Sequence, residues 1–264
     1  MNPEPEYLLK GQIFILDDSP GNSEGMIRPF KGKKDPDVER DAIMVMIPSE
    51  LQFLVQASKA EELSFSDMNL YHLYRANKGT QAPFTLAGPF LGAPQAVIAM
   101  EKLIVLGAKR IWILGWCGSL QTDLTIGHLI IPIGALSEEG TSSHYPVSNR
   151  FPESTTALNR MLEEELIQQS LPFSRGSVWT TDALYRETPD KVKTYQDQGI
   201  LAVEMEISAL MTVALYRSVA MAGLLVVSDE LFQPKWRPGF SNPLLKKSSR
   251  AAGKVLLRLA GSVK

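Results

Sequence analysis

The sequence is short of the residues that build disulfides, metal sites and membrane spans. Cys117 is the only cysteine, and the three histidines are widely spaced. One cysteine excludes an intrachain disulfide, and this spacing matches no metal-ligand pattern, so no metal site is predicted. The apolar runs are too short to cross a bilayer. The N-terminus lacks the basic and apolar segments of a signal peptide, which favours a cytoplasmic protein without a membrane partner.

The chain also has little net charge. The 264 residues include 27 basic and 29 acidic side chains, which leaves a net charge of −2. Because no basic block is present, a nucleic-acid partner is not expected. Hydrophobic residues make up 44% of the chain, enough for a sizeable core. With no internal repeat or low-complexity segment, one domain over residues 1–264 is predicted.

Strand-like and helix-like segments alternate along the chain. A Gly- and Pro-rich loop over residues 19–38 lies between two short apolar runs, Gln12–Leu16 and Ala42–Ile47, which indicate strands. Further strands are predicted at Phe84–Ala87, Ile111–Leu114, Leu129–Ile133, Gly176–Trp179, Leu201–Val203 and Leu224–Val227. Helices are predicted from near Pro94 to Gly107, at Leu158–Leu166, at Ile207–Ala220 and from about Ser248 to Leu259. This alternation predicts an α/β fold, a three-layer α/β/α sandwich with a mixed, largely parallel central sheet.

Three segments that follow predicted strands carry unusual residues. Ligands in such sheets bind outside the carboxyl ends of the strands, so we expect these segments to converge. The first is the turn-like Gly115-Trp116-Cys117-Gly118, where two glycines let the backbone approach a ligand. Its spacing matches neither a Walker A loop nor a GxGxxG fingerprint, and a tight structural turn explains it equally well.

The second segment places Glu204 and Glu206 on either side of Met205, between a strand and an apolar helix. A carboxylate at a helix start is favoured by the helix dipole, which is the structural alternative. A buried carboxylate needs a partner, and the two hydroxyls of a ribose would supply hydrogen-bond donors. Function and structure are closely balanced for this pair.

The third segment is Ser228-Asp229-Glu230, which follows the buried strand Leu224–Val227. At a sheet edge, burial would favour the protonated form of Asp229. Such an acid could protonate a departing base, an effect worth roughly 10²–10⁴ in rate. Alternatively, Asp229 caps the next turn.

Taken in order, the motifs resemble the nucleoside phosphorylase family, which includes purine nucleoside phosphorylase, uridine phosphorylase and the methylthioadenosine/adenosylhomocysteine nucleosidases. The resemblance covers roughly residues 40–260. The matching segments are Ala87–Pro94, Gly115–Gly118, Gly127–Pro132, Glu138–Tyr145, Thr180–Tyr185, the VEME segment Val203–Glu206 and the Ser-Asp segment Val227–Asp229. VEME with Ser-Asp downstream is specific, whereas the glycine turns alone are not.

The resemblance implies a role for each matching residue. Glu206 and the Met205 backbone would hold the ribose hydroxyls, and Asp229 would protonate a purine-like base at N7. The implied substrate-binding set is Gly115, Trp116, Cys117, Gly118, Tyr185, Arg186, Glu204, Met205, Glu206 and Ser228, with Asp229 catalytic. No metal or organic cofactor is implied, with phosphate as the possible co-substrate. Members assemble as dimers or hexamers, so a homo-oligomer is expected.

Several positions depart from the phosphorolytic pattern. Ile113 replaces an Arg, Trp116 replaces a Ser or Thr that contacts phosphate, and Met46-Ile47-Pro48-Ser49-Glu50 replaces the GDPxR loop. Gly127-His128 replaces the Gly-Asp pair. Without its arginines, a phosphate anion loses the bidentate contacts that would hold it.

The resemblance favours phosphorolysis of a nucleoside, with a purine as the favoured base and with free base and sugar 1-phosphate as products. Four alternatives stay open. In the first, water replaces phosphate as the acceptor, so that the protein is a hydrolase. In the second, phosphate is held by Arg186, Arg75, or Arg28 with the Lys31–Lys34 cluster. In the third, the substrate is larger and stacks on Trp116, and in the fourth, the protein binds a nucleoside without catalysis.

Overall fold

The computed structural model describes residues 25–64, 70–76, 82–147, 151–233 and 235–262. The predicted strand Gln12–Leu16 and residues 19–24 of the predicted loop lie outside them. The strands are β1 Asp41–Val45, β2 Glu61–Leu63, β3 His72–Ala76, β4 Phe84–Gly88, β5 Arg110–Ser119, β6 Leu129–Ser137, β7 Phe173–Thr180, β8 Ala202–Glu204, β9 Ala220–Glu230 and β10 Arg237–Pro238. The helices are α1 Pro48–Ser58, α2 Ala93–Leu106, α3 Thr156–Gln168, α4 Pro189–Asp197, α5 Ile207–Arg217 and α6 Pro243–Leu259.

The strands form one mixed sheet. Their order is β10-β9-β6-β7-β8-β5-β1-β4-β3-β2, and β9 also pairs with β5. The strands β5, β9, β6, β7 and β8 therefore close into a ring. β1 runs parallel to β4 and β5, whereas β3 is antiparallel to both β2 and β4. The predicted α/β class with a mixed sheet is confirmed, and the ring is a feature that the alternation of elements did not predict.

Helices cover both faces of the sheet. In β1, Ala42 and Met44 pack into one core cluster, and Ile43 and Val45 pack into another. This alternation follows from the period of two along a strand. The first cluster receives its helical residues from α2 and α5, and the second receives them from α1, α3 and α6. The two clusters therefore pack against opposite faces of β1.

The largest correction concerns Gly115–Gly118. The predicted strand does not break there, because β5 continues to Ser119 and pairs with β9 along its whole length. The register shifts between Cys117 and Gly118, which is a β-bulge. β9 likewise includes Ser228–Glu230. The backbone pairing between the two strands outweighs the weak strand preference of the glycines.

Other element boundaries also differ from prediction. α5 ends at Arg217 because Ser218 adopts a left-handed conformation, and α6 begins at Pro243 with Asn242 as its N-cap. The helices α1 and α4 were not predicted. Each has a proline in its first turn, and the Thr188 hydroxyl caps α4. These start signals were the available evidence for both helices.

Candidate active site

A cavity of about 530 Å³ lies where β5, β8 and β9 approach one another, and we call it the main cavity. Sequence reasoning named nine of the residues that line it: Trp116, Cys117, Gly118, Tyr185, Glu204, Met205, Glu206, Ser228 and Asp229. These residues come from segments far apart in sequence. The tertiary structure therefore brings the two key carboxylates, Glu206 and Asp229, to one cavity.

Two residues of the predicted substrate-binding set do not line this cavity. Gly115 lies inside β5, where an added Cβ would stand 2.9 Å from Leu225 Cδ2. Arg186 is exposed at the end of the short 3₁₀ turn Leu184–Arg186. Residues next to Gly115 and Arg186 in the sequence do line the cavity, so nearness along the chain alone does not bring these two residues into its wall.

The other lining residues had no role assigned from the sequence. They are Met46, Ile47, Phe90, Leu91, Leu184, Glu187, Val203, Leu231, Trp236 and Phe240. The first five of these and Val203 lie within segments that were compared with the family, and Glu187 directly follows one of them. Leu231, Trp236 and Phe240 belong to no such segment, and no sequence signal pointed to them.

Glu204 is held by the protein itself. Its Oε2 accepts hydrogen bonds from the backbone N–H groups of Glu206 and Ile207, each at 2.7 Å, and its Oε1 accepts one from the Thr180 hydroxyl. These bonds secure the start of α5. Burial, followed by the negative charge of Glu206, raises the pKa of Glu204. These contacts show that Glu204 fixes the position of the first residues of α5.

Glu206 is a buried carboxylate at the wall of the main cavity. Its Oε1 accepts a hydrogen bond from the Gly92 N–H at 2.6 Å, and the Met205 backbone donates a further hydrogen bond to the carboxylate. Burial nevertheless raises the pKa of Glu206. Because each carboxylate oxygen can accept more than one hydrogen bond, Glu206 can also accept one from a ligand hydroxyl.

Asp229 is oriented by two donors. The Ser228 hydroxyl donates to Oδ1 at 2.6 Å, and the Trp236 indole N–H donates to Oδ2 at 2.7 Å. The bulge in β5 places Gly118 directly opposite Asp229. A Cβ on Gly118 would stand 3.1 Å from Asp229 Oδ2, so the glycine leaves room for the carboxylate.

Glu187 is a second acid beside Asp229. Its side chain is half-buried and has no hydrogen bond or ion pair among the described residues. Burial, followed by the negative charge of Asp229, raises the pKa of Glu187 to about 7. A carboxyl group in this state exchanges a proton near neutral pH, which is the range useful for acid–base chemistry.

Cys117 and Trp116 have structural constraints of their own. Burial, and then the charges of Asp229 and Glu204, raise the pKa of the Cys117 thiol well above its ordinary value. The thiol therefore stays protonated and is not a nucleophile. The Trp116 indole N–H donates to Ser249 Oγ at 2.8 Å, and its ring stacks on Phe240 with centroids 6.2 Å apart.

No lysine or arginine is found among the described residues that line the main cavity, whereas four acids line it: Glu187, Glu204, Glu206 and Asp229. Ile113, where phosphorolytic members carry Arg, is fully buried in the core. Arg75 is paired with Glu39, and Lys31 is paired with Asp37. The basic residues proposed from the sequence to hold phosphate are thus directed elsewhere or lie outside this cavity.

The part of the chain that the structure describes offers neither a metal site nor a membrane-spanning helix. Within the described ranges, no group of three or more His, Cys, Asp or Glu side chains could hold a metal ion. Over the same ranges, no helix is long and apolar enough to cross a membrane.

The family model of the phosphorylase superfamily matches residues 40–260, and the chain belongs to this superfamily. A DeoD-type purine nucleoside phosphorylase of Bacillus cytotoxicus is 29% identical over 185 residues, which are 67% of this chain and 79% of that relative.

Solved structures agree with the family. A uridine phosphorylase from Vibrio fischeri is 26% identical with a TM-score of 0.76, covering 84% of this chain and 92% of that one. A purine nucleoside phosphorylase from Toxoplasma gondii, in complex with immucillin-H, has a TM-score of 0.79 at 22% identity. It covers 89% of this chain and 98% of that one. The latter similarity supports the fold alone.

Proposed function

We propose that this protein cleaves the N-glycosidic bond of a nucleoside, and that the nucleoside is a purine. The supporting observation is that Glu206 and Asp229 line one cavity of about 530 Å³. Glu206 Oε2 accepts hydrogen bonds from the sugar hydroxyls. Asp229 supplies the proton, or a hydrogen bond, to N7 of the base, so that the base leaves as a neutral group.

The charge of the cavity suits the transition state. Cleavage of a glycosidic bond develops positive charge on the sugar ring, as in other oxocarbenium-like transition states. Carboxylates fixed around the cavity stabilise this charge without reorganising. The apolar part of the wall, which includes Phe90 and Leu231, lowers the local polarity and so strengthens that interaction.

Phosphorolysis to free base and sugar 1-phosphate is the reaction that family membership favours. Hydrolysis is the second candidate, and one observation favours it: the lining residues described for the main cavity include no basic side chain. In addition, Glu50 stands where the GDPxR loop of phosphorolytic members has its Arg, so a negative charge replaces a positive one.

The first experiment incubates the purified protein with a panel of purine and pyrimidine nucleosides, with and without phosphate, and measures the free base. Base released only with phosphate indicates phosphorolysis, and base released without it indicates hydrolysis. Binding without release would contradict catalysis and favour a nucleoside-binding protein.

A substitution tests the proton donor. Asp229→Asn keeps the size of the side chain but removes the acid, so turnover of a purine nucleoside should fall by about tenfold or more. Asp123→Asn is the matched control, because Asp123 is exposed and does not line the main cavity. Unchanged turnover of the Asp229 variant would remove this residue from its role.

We also propose the remaining features that the family resemblance implies. The chain forms a single domain with the three-layer α/β/α arrangement, assembles as a homo-oligomer (a dimer or a hexamer), and acts in the cytoplasm. Its only co-substrate besides the nucleoside is phosphate or water, and no metal or organic cofactor takes part.

A further inference from the structure

A second cavity adjoins the main one. Its volume is about 350 Å³, and Trp116 and Phe240 line both cavities. Unlike the main cavity, it has basic side chains in its wall, namely Lys246 and Arg250. These residues are one turn apart on α6 and therefore lie on the same face of that helix. The Arg250 guanidinium is further positioned by the Phe53 ring, whose centroid is 4.8 Å away.

Glu50, on α1, lines the same second cavity and is incompletely paired. Glu50 is only 4% exposed to solvent. Its Oε1 accepts a long hydrogen bond of 3.3 Å from the Ser49 hydroxyl, and its Oε2 has no hydrogen-bond partner among the described residues. A buried oxygen without a partner is costly, so a ligand that donates a hydrogen bond to it gains correspondingly.

The two bases do not satisfy Glu50 themselves. Their charges lower the pKa of Glu50, but burial outweighs them and raises it overall. Neither Lys246 nor Arg250 forms an ion pair with Glu50 among the residues described. The acid and the bases thus border the cavity from different helices, with space between them for a ligand.

We propose that the second cavity binds an oxyanion that carries a hydrogen, with Lys246 and Arg250 donating to its charged oxygens and Glu50 Oε2 accepting a hydrogen bond from its hydroxyl group. Monohydrogen phosphate has this chemistry, whereas sulfate at neutral pH has no hydrogen to donate. Glu50 and Trp116 occupy two positions that contact phosphate in phosphorolytic members, and α6 supplies the positive charge that the usual arginines would supply. This assignment deepens the proposed function and rests on it for the neighbouring nucleoside.

The oxyanion has two possible sources: free phosphate, whose dianion keeps one hydrogen, or a phosphate monoester of the nucleoside, which is mostly a dianion without a hydrogen at neutral pH. Titration calorimetry of the full-length protein with inorganic phosphate, and separately with adenosine 5′-monophosphate, distinguishes them. The variant Lys246→Gln/Arg250→Gln should weaken binding of the relevant probe by about tenfold or more, because it removes both charge-assisted donors. Lys247→Gln is the matched control, since Lys247 is exposed on α6 and lines neither cavity.

Glu50 makes the test more specific. The wild-type protein should bind phosphate more tightly than sulfate, because only phosphate can donate to the carboxylate. In Glu50→Gln, the side-chain amide can donate to either anion, so this preference should disappear while the overall anion affinity is kept or increased. A preference for phosphate that survives in Glu50→Gln would contradict the part assigned to Glu50.

These readouts measure binding and do not depend on turnover. Asp229→Asn should slow cleavage yet bind phosphate as the wild type does, so failure of the proposed reaction leaves the anion site testable. If phosphate alone binds and the affinity depends on the two bases, the free anion is the ligand. If only the nucleotide shows this dependence, the anion is attached to the nucleoside, and the hydrogen bond assigned to Glu50 Oε2 is overturned. If neither probe depends on Lys246 and Arg250, the proposed site is overturned.

Discussion

At the scale of single residues, the main cavity is a place where carboxylates are held close together with no basic residue described in its wall. Glu204 is occupied by backbone donors, whereas Glu187 has no hydrogen bond or ion pair among the described residues. Asp229 is held by Ser228 and Trp236. Neighbouring acids share protons, because each negative charge makes the ionisation of the next one harder. Burial therefore favours the protonated forms of Glu187, Glu204 and Glu206.

The raised pKa of Glu187 predicts that the stability of the protein depends on pH. Its pKa is about 7 in the folded chain, against an ordinary value of 4.5. As pH rises between these values, the unfolded chain loses this proton first, so the folded state binds more protons and stability falls. Thermal unfolding should therefore show a smaller decrease in Tm from about pH 5 to about pH 8 for Glu187→Gln than for the wild type.

The control for this comparison is Glu164→Gln, which changes an exposed carboxylate on α3. It should show the same decrease in Tm as the wild type. Equal decreases for Glu187→Gln and the wild type would mean that Glu187 is solvated, and would remove it from the proton-sharing group.

At the scale of elements, the site depends on how closely the ends of neighbouring strands approach one another. Gly88 ends β4 with φ +150°, and an added Cβ would stand 2.3 Å from the Val45 carbonyl oxygen at the end of β1. The segment after Gly88 leads to Phe90 and Leu91, which line the main cavity, and to Gly92, whose N–H binds Glu206. This one close approach therefore connects the strand ends to the Glu206 carboxylate.

Gly88→Ala should consequently destabilise the protein and disturb the site. The methyl group meets backbone, which cannot rotate away, and the conformation is unfavourable for alanine, so a loss of about 1–3 kcal/mol in unfolding free energy is expected. Chemical denaturation measures it. Gly134→Ala is the control, because its nearest contact, Ser177 Oγ at 3.4 Å, is an ordinary one. A Gly88 variant as stable as this control would contradict the close approach.

At the scale of the whole molecule, Asp41 joins distant parts of the chain. Lying at the start of β1, it accepts hydrogen bonds from the Arg110 guanidinium and the Trp112 indole of β5, and from the Gly261 N–H that follows α6. All these donors are buried with it. The network ties the central sheet to the C-terminal helix, which also carries Lys246 and Arg250.

Asp41→Ala should lower the unfolding free energy by about 3–5 kcal/mol, because it leaves a buried guanidinium without its counter-charge. The surface pair Arg75–Glu39 is the contrast, since both of its side chains are partly exposed. Glu39→Ala should cost only about 0–1 kcal/mol. Comparable losses for the two variants, measured by denaturation, would contradict the structural part given to Asp41.

The sequence alone was sufficient for the α/β class, for most of the buried strands and helices, and for the convergence of Glu204–Glu206 with Ser228-Asp229. Each of these depends on local patterns: apolar periodicity, and acids that directly follow buried strands. The same patterns misplaced the end of β5, because glycines signal a turn unless a neighbouring strand pairs with them. Local patterns therefore reveal which segments meet, but not how their backbones continue.

The tertiary structure alone decided the rest of the site. The apolar wall residues Leu231 and Phe240 belong to no motif, and Lys246 and Arg250 look like ordinary surface residues of an amphipathic helix. Their significance arises only when α6 packs beside α1 and places them around the same cavity as Glu50. Short-range sequence patterns determine elements, whereas the packing of the sheet and its helices decides which distant residues line the same cavity, as with Glu50 and Arg250, 200 positions apart.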